Sequence, residues 1–489
     1  MKIRQRTICH TCRARKLGCD GRSPSCSQCL KSSLACGGYH YDLIFAEPLT
    51  PGPRAAGGRR RAALPKDAAV AAAKPGLPPP GIRQPLSWPL NDILSVVVQN
   101  FIPIRDEAGV DSKALTAPSR VCGSWIEVVP DLKTSGPNGH ALTSSIKAFA
   151  FAITCCTRRV GASVVDALAA HGTALSSLHH ALIRGRNEGP DELSAAIMFL
   201  FLSEILMSAN TSPGIHIGGL SRLMLSRGPA YYAHGTPHRI FIGCRPSLVI
   251  HCICDRRACF LEAPEWCTIP FHASPAEPLQ ELISIGACIP SLLQAMDMDV
   301  DAPACLDKLL DTMRRLDGWR RSYSAKLGAA YGADVAASAA TTADDIWYPD
   351  ITVANSLTHY WAFWIICATY AVQLQPRPAS REAIRSKAVL IMKSVAYLTR
   401  EDMKLFGATS LGLPLRVAYE YFEQQVGDTE SAALSDRVMS NIHDKGYSYL
   451  RVFIESDAKI LRPLSAARRE RASQRGTVVG RPTAPRLAV

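Results

Sequence analysis

The stretch "CHTCRARKLGCDGRSPSCSQCLKSSLAC", residues 9–36, places six cysteines within 28 positions. The cysteines follow the spacing C-x2-C-x6-C, which occurs twice with a six-residue joint between the copies. A segment this short, with few apolar residues, cannot bury enough surface to fold unaided. We therefore expect cross-links to hold it together.

The rest of the chain indicates that these cross-links are metal ions. The opening "MKIRQRTICH" has basic residues but lacks the apolar segment of a secretory signal, so we expect the protein to stay inside the cell, where thiols remain reduced. Structural Zn²⁺ sites take four ligands, and six thiolates therefore serve two ions if two of them bridge. The predicted zinc ligands are Cys9, Cys12, Cys19, Cys26, Cys29 and Cys36.

The two copies of the cysteine repeat differ in charge. The loop "RARKLG" (13–18) carries three cations, whereas the matching loop "LKSSLA" (30–35) carries one. A short helix starting near Cys12 would direct Arg13, Arg15 and Lys16 outward, since the cysteines turn toward the metal. Such a helix end fits the DNA major groove, where Arg and Lys bind guanine O6 and N7. The alternative is a solvated charged face.

These features together resemble the fungal zinc binuclear cluster, the Zn₂Cys₆ module of fungal transcription factors. The resemblance implies two zinc ions bridged by Cys9 and Cys26, and a joint between the repeats shaped by Pro24. It also implies that Lys16 reads bases in CGG-like triplets, with Arg15 beside it. The expected function is a nuclear, sequence-specific regulator of RNA polymerase II transcription that binds double-stranded DNA and is not an enzyme.

Further cations around the module are expected to contact DNA phosphates, which position a protein on the duplex without specifying sequence. The predicted backbone contacts are Arg13, Lys2, Arg4, Arg6, Arg22 and Lys31. The charge of the whole chain agrees with this arrangement. Of a net +13, residues 1–88 carry +11 and residues 462–489 carry +6, which leaves about −4 for the middle. The middle is therefore not a general polyanion binder.

The chain divides into four predicted regions. The zinc module covers residues 1–38, a Pro/Gly/Ala-rich basic linker covers 39–88, a helical domain covers 89–461, and a basic disordered tail covers 462–489. Within the linker, Arg59-Arg60-Arg61 is interpreted either as a nuclear localisation signal or as a solubilising cluster. The prolines and glycines exclude a coiled coil there. We therefore expect a monomer, or a homodimer formed through the large domain.

The large middle region has helical periodicity and little strand alternation, so the predicted fold class is mostly α. We expect one helix to start at Pro190 and another to end on Gly228. The apolar run "WAFWIICATYAV" (361–372) is too short to span a membrane and is predicted to be a core helix; no membrane association is expected. The segments predicted to be helical are 190–209, 212–228, 302–317, 355–374, 381–400, 412–425 and 431–454.

This middle region resembles the fungal-specific regulatory domain that accompanies many zinc cluster modules. The stretches that carry the resemblance are "CGGY", "AAIMFLFLSEILMSAN", "HIGGLSRLMLSRG" and "LPLRVAYEYF". The resemblance implies that the helical domain controls activity in response to a small molecule or a partner protein. It also implies target genes in metabolism or in secondary-metabolite clusters.

Two further constellations have alternative interpretations. The stretch "HCICDRRACFLEAPEWC" (251–267) is predicted to be an apolar helix with buried thiols, and a second metal site is the alternative. His179 and His180, near Glu192, are predicted to be surface residues because no nucleophile or phosphate loop accompanies them. The rival functions are a thiol- or metal-dependent enzyme, or a protein-interaction module, with the zinc cluster as a structural appendage. The thiols of the first stretch are Cys252, Cys254, Cys259 and Cys267, next to His251.

Overall fold

The structure is a computed structural model of the chain. It describes residues 11–12, 15, 17, 19–20, 26–32, 34, 89–104, 122–157, 163–184, 190–207, 214–298, 302–327, 345–375, 379–425 and 427–464. The chain forms two compact units, Met1–Ile82 and Arg83–Val489. The predicted linker, its arginine cluster and the tail beyond Leu464 lie outside the described residues.

The described residues form helices and no strand, which confirms the predicted mostly α fold class. The α-helices are α1 Ser27–Lys31, α2 Leu90–Phe101, α3 Gly136–Cys156, α4 Val164–Arg184, α5 Pro190–Met207, α6 Gly214–Arg227, α7 Gly235–Asp255, α8 Pro264–Thr268, α9 Pro278–Gly286, α10 Ile289–Asp297, α11 Ala302–Leu327, α12 Ile351–Leu374, α13 Arg381–Leu398, α14 Lys404–Ser410, α15 Gly412–Glu423, α16 Thr429–Asp444 and α17 Ser448–Ile454. Short 3₁₀ helices are Cys122–Asp131, Pro229–Tyr232, Phe260–Glu262, Ile269–Phe271 and Glu401–Met403.

Helix α12 lies within the apolar core of the second unit. Asp350 caps its start by accepting a hydrogen bond from the amide of Val353 at 2.9 Å, which satisfies one donor that a helix N-terminus leaves open. Apolar residues occupy all sides of the helix, and nearly every residue in it is buried. A helix that is apolar all round belongs inside a core. The run 361–372 lies within α12, so the prediction of a core helix is confirmed.

The stretch Pro278–Asp297 is long and apolar enough to cross a membrane by length and composition alone. The structure divides it into α9 and α10, two helices of nine residues each. At 1.5 Å per residue each is about 14 Å long, roughly half of a bilayer's hydrocarbon core. Of its 18-residue apolar window, 61% is buried inside the protein. The stretch is therefore part of the protein core.

Helices α3, α4 and α5 pack against one another near the start of the second unit. Small side chains such as Ala148 and Ala152 are fully buried on α3, which allows neighbouring backbones to approach closely. Phe149 of α3 lies 5.2 Å from Phe101 of α2 and 5.7 Å from Phe199 of α5, measured between ring centroids. Aromatic pairs at these distances add to the stabilisation that burial provides. This packing fixes the positions of α4 and α5, and therefore the positions of the polar side chains that they carry.

The C-terminal described segment, residues 458–464, is part of the second unit's core. Glu420 on α15 accepts hydrogen bonds from the backbone amides of Ile460 and Leu461, both at 2.7 Å. The side chains of Ile460, Leu461 and Leu464 are buried. The folded region therefore continues through Leu464, slightly beyond the expected boundary at residue 461.

Each segment predicted to be helical contains helix over its described part. Helix α5 starts at Pro190, and α6 ends before Gly228, whose φ of +77° is the left-handed conformation typical of a glycine cap. The segment 431–454 forms two helices rather than one. Gly446, with φ of +78°, lies in the turn between α16 and α17, and a side chain there would be strained.

The prediction that residues 251–267 form one apolar helix is wrong. Helix α7 ends at Asp255, and Arg256 follows in the left-handed conformation with φ of 54°. This conformation is unfavourable for a non-glycine residue. The guanidinium of Arg256 is buried and donates to Asp297 at 2.6 and 2.7 Å and to the Tyr370 hydroxyl at 2.8 Å. These tertiary hydrogen bonds stabilise the end of α7 at Arg256. The apolar pattern of the sequence does not reveal this helix end.

Candidate metal centre and nucleic-acid interface

Four of the six predicted zinc ligands lie in the described residues. Cys12, Cys26 and Cys29 are fully buried, and Cys19 is half-buried. None of the four forms a disulfide. Little apolar surface surrounds these buried thiols, so an apolar core does not explain their burial. A metal centre with the sulfurs as ligands does. Cys9 and Cys36 lie outside the described residues.

The sulfur spacing is that of metal-bound thiolates. The Sγ of Cys12 lies 3.6 Å from that of Cys26 and 3.9 Å from that of Cys29. Zinc–sulfur bonds of 2.3 Å in a tetrahedron place neighbouring sulfurs about 3.8 Å apart. A disulfide would require about 2.05 Å. The observed distances therefore match thiolates in a zinc centre and exclude a disulfide between these cysteines.

Cys26 belongs to two groups of neighbouring ligand atoms. The sulfurs of Cys12, Cys26 and Cys29 all lie within 4.8 Å of one another. The ligand atoms of Cys19, Asp20 and Cys26 also lie within 4.8 Å of one another. A sulfur that is common to both groups is positioned as a bridging ligand requires.

Helix α1 positions Cys26 and Cys29. Cys26 is the N-cap residue of α1, and its Sγ accepts a hydrogen bond from the amide of Cys29 at 3.3 Å. The hydrogen bond uses one of the amide donors that a helix start leaves open. The short segment thus presents two ligands, three residues apart, on one side of a single helical turn.

Asp20 connects the two cysteine repeats, and the sequence analysis missed its role. Its carboxylate accepts from the Ser27 amide at 3.0 Å and from the Ser27 hydroxyl at 2.6 Å. It thereby caps α1 from outside the helix and attaches the end of the first repeat to the start of the second. The signal available in the sequence is an Asp directly after the third cysteine and a Ser directly after the fourth.

The repeated spacing corresponds to a repeated backbone conformation. The carbonyl of Cys12 accepts from the amide of Leu17 at 3.0 Å, and the carbonyl of Cys29 accepts from the amide of Leu34 at 3.1 Å. Each bond joins the second cysteine of its repeat to the residue five positions on. The described residues of the two repeats therefore share this backbone hydrogen bond as well as the cysteine spacing.

Two of the predicted DNA-contacting cations lie in the described residues. Arg15 is exposed, and its amide donates to the carbonyl of Thr11 at 3.2 Å, as expected for a helical turn after Cys12. Lys31 is exposed at the last position of α1. The remaining predicted contacts, Lys16, Arg13, Lys2, Arg4, Arg6 and Arg22, lie outside the described residues.

The constellation in 251–267 does not form a second ligand cluster. Among the described residues, no three of its cysteines and histidine bring their ligand atoms within 4.8 Å of one another. Cys252 and Cys259 interact as a pair, in which the hydrogen bond from Cys252 lowers the pKa of the Cys259 thiol. His179 and His180 are exposed on α4, as predicted.

Comparison with known proteins identifies the first unit's cysteine segment. Residues 7–42 match the family model of the fungal Zn(2)-Cys(6) binuclear cluster domain. This domain binds two zinc ions, and the described cysteines have the spacing that such a centre requires. The predicted metal and its stoichiometry are thus supported both by the family and by the sulfur geometry.

Two relatives share parts of the chain. Arginine metabolism regulation protein II of Saccharomyces cerevisiae is 51% identical over 43 residues, which are 9% of this chain and 5% of the relative. An uncharacterized protein of Emericella nidulans is 28% identical over 157 residues, which are 30% of this chain and 32% of the relative. The chain therefore covers a minor part of each relative. No solved structure gives a significant match.

Proposed function

We propose that the protein is a sequence-specific DNA-binding regulator of RNA polymerase II transcription that acts in the nucleus. The observation that carries the proposal is the match of residues 7–42 to the Zn(2)-Cys(6) domain, whose sulfurs have tetrahedral spacing in the structure. The name of the yeast relative, a regulation protein, supports the same assignment. The domain boundaries proposed with it are a module at 1–38, a linker at 39–88, a helical domain from 89 through Leu464, and a basic tail after it.

In this proposal two zinc ions stiffen the segment so that its first repeat reads DNA. Cys9 and Cys26 bridge the ions, and the position of Cys26 in both ligand groups supports its part of this role. Lys16 contacts guanines of a CGG-like triplet from the major groove, with Arg15 beside it. The exposure of Arg15 next to the buried Cys12 supports a turn that directs cations away from the metal.

The second repeat positions the module on the duplex. Lys31 takes part through a phosphate contact, and its exposure at the end of α1 supports this. Such contacts fix orientation and supply affinity that depends on salt. The other proposed phosphate contacts are Lys2, Arg4, Arg6, Arg13 and Arg22.

The helical domain is proposed to control activity by binding a small, largely apolar effector. A cavity of about 640 Å³ supports this, because ligand pockets commonly measure about 300–1,000 Å³ and are mostly apolar with a few polar groups. Its polar groups include His251, Asp255 and Arg416. Apolar lining residues include Phe201, Ile205, Ile250, Leu413 and Phe453. Metabolic or secondary-metabolite genes are the proposed targets.

Selection of bound sequences from a random duplex pool with the full-length chain tests the proposal. The expected result is enrichment of a GC-rich triplet, once for a monomer and twice at fixed spacing for a homodimer. Binding should weaken as salt increases, since cations displace counterions from the phosphates. A pool that stays random after selection, with the zinc content intact, would contradict sequence-specific binding.

A matched pair of variants separates base reading from phosphate contact. Lys16→Ala should reduce discrimination between the selected triplet and a mismatch by about 1–3 kcal/mol. Arg4→Ala should weaken binding to both duplexes alike and lower the salt slope by about one. Fluorescence anisotropy titrations at several salt concentrations measure both quantities. Unchanged discrimination in Lys16→Ala would show that another residue reads the triplet.

A further inference from the structure

A cluster of two histidines and one glutamate is buried in the second unit, on three consecutive helices. His171 lies on α4, Glu204 on α5 and His216 on α6. Their ligand atoms all lie within 4.8 Å of one another. The side chains are 8%, 6% and 11% exposed, so water screens the cluster poorly. No local sequence motif connects the three residues, which are separated by 33 and 12 positions.

Both imidazoles face the same carboxylate oxygen. The Nε2 of His171 lies 3.4 Å from Oε1 of Glu204, and the Nε2 of His216 lies 3.0 Å from it. Ligands bound at 2.0–2.1 Å to a tetrahedral zinc ion are separated by about 3.4 Å. The arrangement therefore has nearly the spacing that two imidazoles and a carboxylate take around one ion.

The proton positions around His171 favour a cation at this place. The Ser203 hydroxyl donates its single proton to the carbonyl of Leu200 at 2.8 Å, so it accepts from Nδ1 of His171 at 3.0 Å. Nδ1 is then the donor, and a ring with its one proton on Nδ1 presents the lone pair of Nε2 toward the carboxylate. Two facing lone pairs repel, and a cation between them removes the repulsion. A hydrogen bond from the far ring nitrogen is also what orients metal-ligating histidines.

One carboxylate oxygen of Glu204 is available to bind a metal ion. Its Oε2 is buried and has no hydrogen-bond partner among the residues that the structure describes. A buried carboxylate oxygen without a partner is costly, because burial removes its hydration without replacement. An ion bound at this place would supply the missing partner.

We propose that His171, Glu204 and His216 bind a third zinc ion, separate from the two ions of the cysteine cluster. Imidazole nitrogen with one carboxylate suits zinc and related divalent transition ions, whereas Mg²⁺ prefers oxygen ligands. Three protein ligands leave a fourth position for water or another small ligand. The ion links α6 to α4 and α5. Gly214 and Ile215, at the start of α6, line the 640 Å³ cavity, so the ion also fixes one wall of it.

Metal counting on the full-length chain tests this proposal. The protein is saturated with zinc, dialysed against metal-free buffer, and analysed by native mass spectrometry. The wild type should retain one ion more than Glu204→Gln and one more than His216→Ala. His180→Ala, an exposed histidine on the same helix as His171, is the matched control and should retain the wild-type number. Equal zinc in the wild type and both ligand variants overturns the proposal.

A second measurement guards against variants that bind less metal because they fold poorly. The variants should match the wild type in far-UV circular dichroism without added metal. At a free zinc concentration 100 times the dissociation constant of this site, the folded-to-unfolded ratio of the second unit, followed by tryptophan fluorescence, should rise about 100-fold in the wild type relative to the stripped protein. Glu204→Gln should show none of this gain in the second unit, and Mg²⁺ should not replace zinc. A wild type whose second unit is equally stable with and without zinc shows that the cluster holds only a proton, which overturns the site.

Discussion

Each of the two units is stabilised by a different kind of interaction. In the first unit, Cys12, Cys26 and Cys29 are buried around a metal position, while Leu17, Leu30 and Leu34 are exposed. In the second unit, one continuous apolar core extends from α2 to the segment ending at Leu464. Ligand bonds take the place of a core in the first unit, and apolar burial supplies the stability of the second. The stability of the first unit therefore depends strongly on metal.

Loss of the cysteine-bound zinc should have the largest effect, and it should be confined to the first unit. Structural zinc contributes about 10–16 kcal/mol to the folding of small metal domains. A chelator, or Cys26→Ser, should therefore abolish duplex binding. In Cys26→Ser, tryptophan fluorescence should stay unchanged, because all seven tryptophans lie beyond residue 82 and report the second unit alone.

Cys267→Ser is the matched control for this experiment. Cys267 is half-buried in the second unit and donates to the Leu261 carbonyl at 3.3 Å, a bond that serine can replace. The variant should keep wild-type zinc content and duplex affinity. Duplex affinity that survives complete chelation would contradict a metal-held first unit.

Breaking a buried ion pair should have the largest single-residue effect on the second unit. Arg416 and Glu420 are 3% and 0% exposed, and the guanidinium Nε lies 2.9 Å from Oε1. Glu420→Gln leaves the arginine charge buried and unpaired, which should lower the free energy of unfolding by about 3–5 kcal/mol. Urea unfolding followed by tryptophan fluorescence measures it, and zinc content should not change.

Glu423→Gln, on the same helix, provides the comparison. Its partner Lys459 lies 2.8 Å away, but the two side chains are 43% and 35% exposed. Exposed pairs contribute about 0–1 kcal/mol, so this variant should remain close to the wild type. Equal destabilisation by the two variants would show that burial does not determine how much the Glu420 ion pair contributes to the free energy of unfolding.

His359 should make the second unit sensitive to mild acid. Burial lowers the pKa of His359 to about 4, and its Nδ1 donates to the Asn355 carbonyl at 2.8 Å. The unfolded chain binds a proton near pH 6.5 and the folded protein near pH 4, so stability is retained above 6.5 and falls as pH decreases between these values. The slope from this residue is at most about 1.4 kcal/mol per pH unit.

Urea unfolding between pH 7 and pH 4, followed by tryptophan fluorescence, measures this slope. His359→Leu removes the titrating group and should make the pH dependence shallower. His180→Ala, which replaces an exposed histidine, is the control and should keep the wild-type slope. Parallel slopes in the wild type and His359→Leu would assign the acid sensitivity to other groups.

The sequence predicts the cysteine segment well because its information is local. The C-x2-C-x6-C repeat appears in the structure as matching bonds from Leu17 to Cys12 and from Leu34 to Cys29. The seven helical segments were also predictable, since helical periodicity and caps such as Gly228 act within a few turns. Whether Lys16 reads bases stays a prediction.

Features built from distant residues could not be predicted. Arg256 adopts the left-handed conformation that ends α7 because Asp297 and Tyr370, 41 and 114 positions away, bind its guanidinium. The cluster of His171, Glu204 and His216 needs three helices to pack before its residues meet. A histidine on a helix looks the same in sequence whether it is exposed or buried beside a carboxylate.

The smallest effect expected is at the joint between the cysteine repeats. Asp20 caps α1 through the amide and hydroxyl of Ser27, and loss of a helix cap costs about 1 kcal/mol. Because metal binding and folding are linked, Asp20→Ala should weaken zinc affinity by about fivefold, measured by competition with a chelator. Asp20→Asn should recover most of the loss, since Asn caps about as well as Asp. If both variants hold zinc as tightly as the wild type, the thiolates alone position α1, and the metal contributes more to the folding of the first unit than the cap geometry indicates.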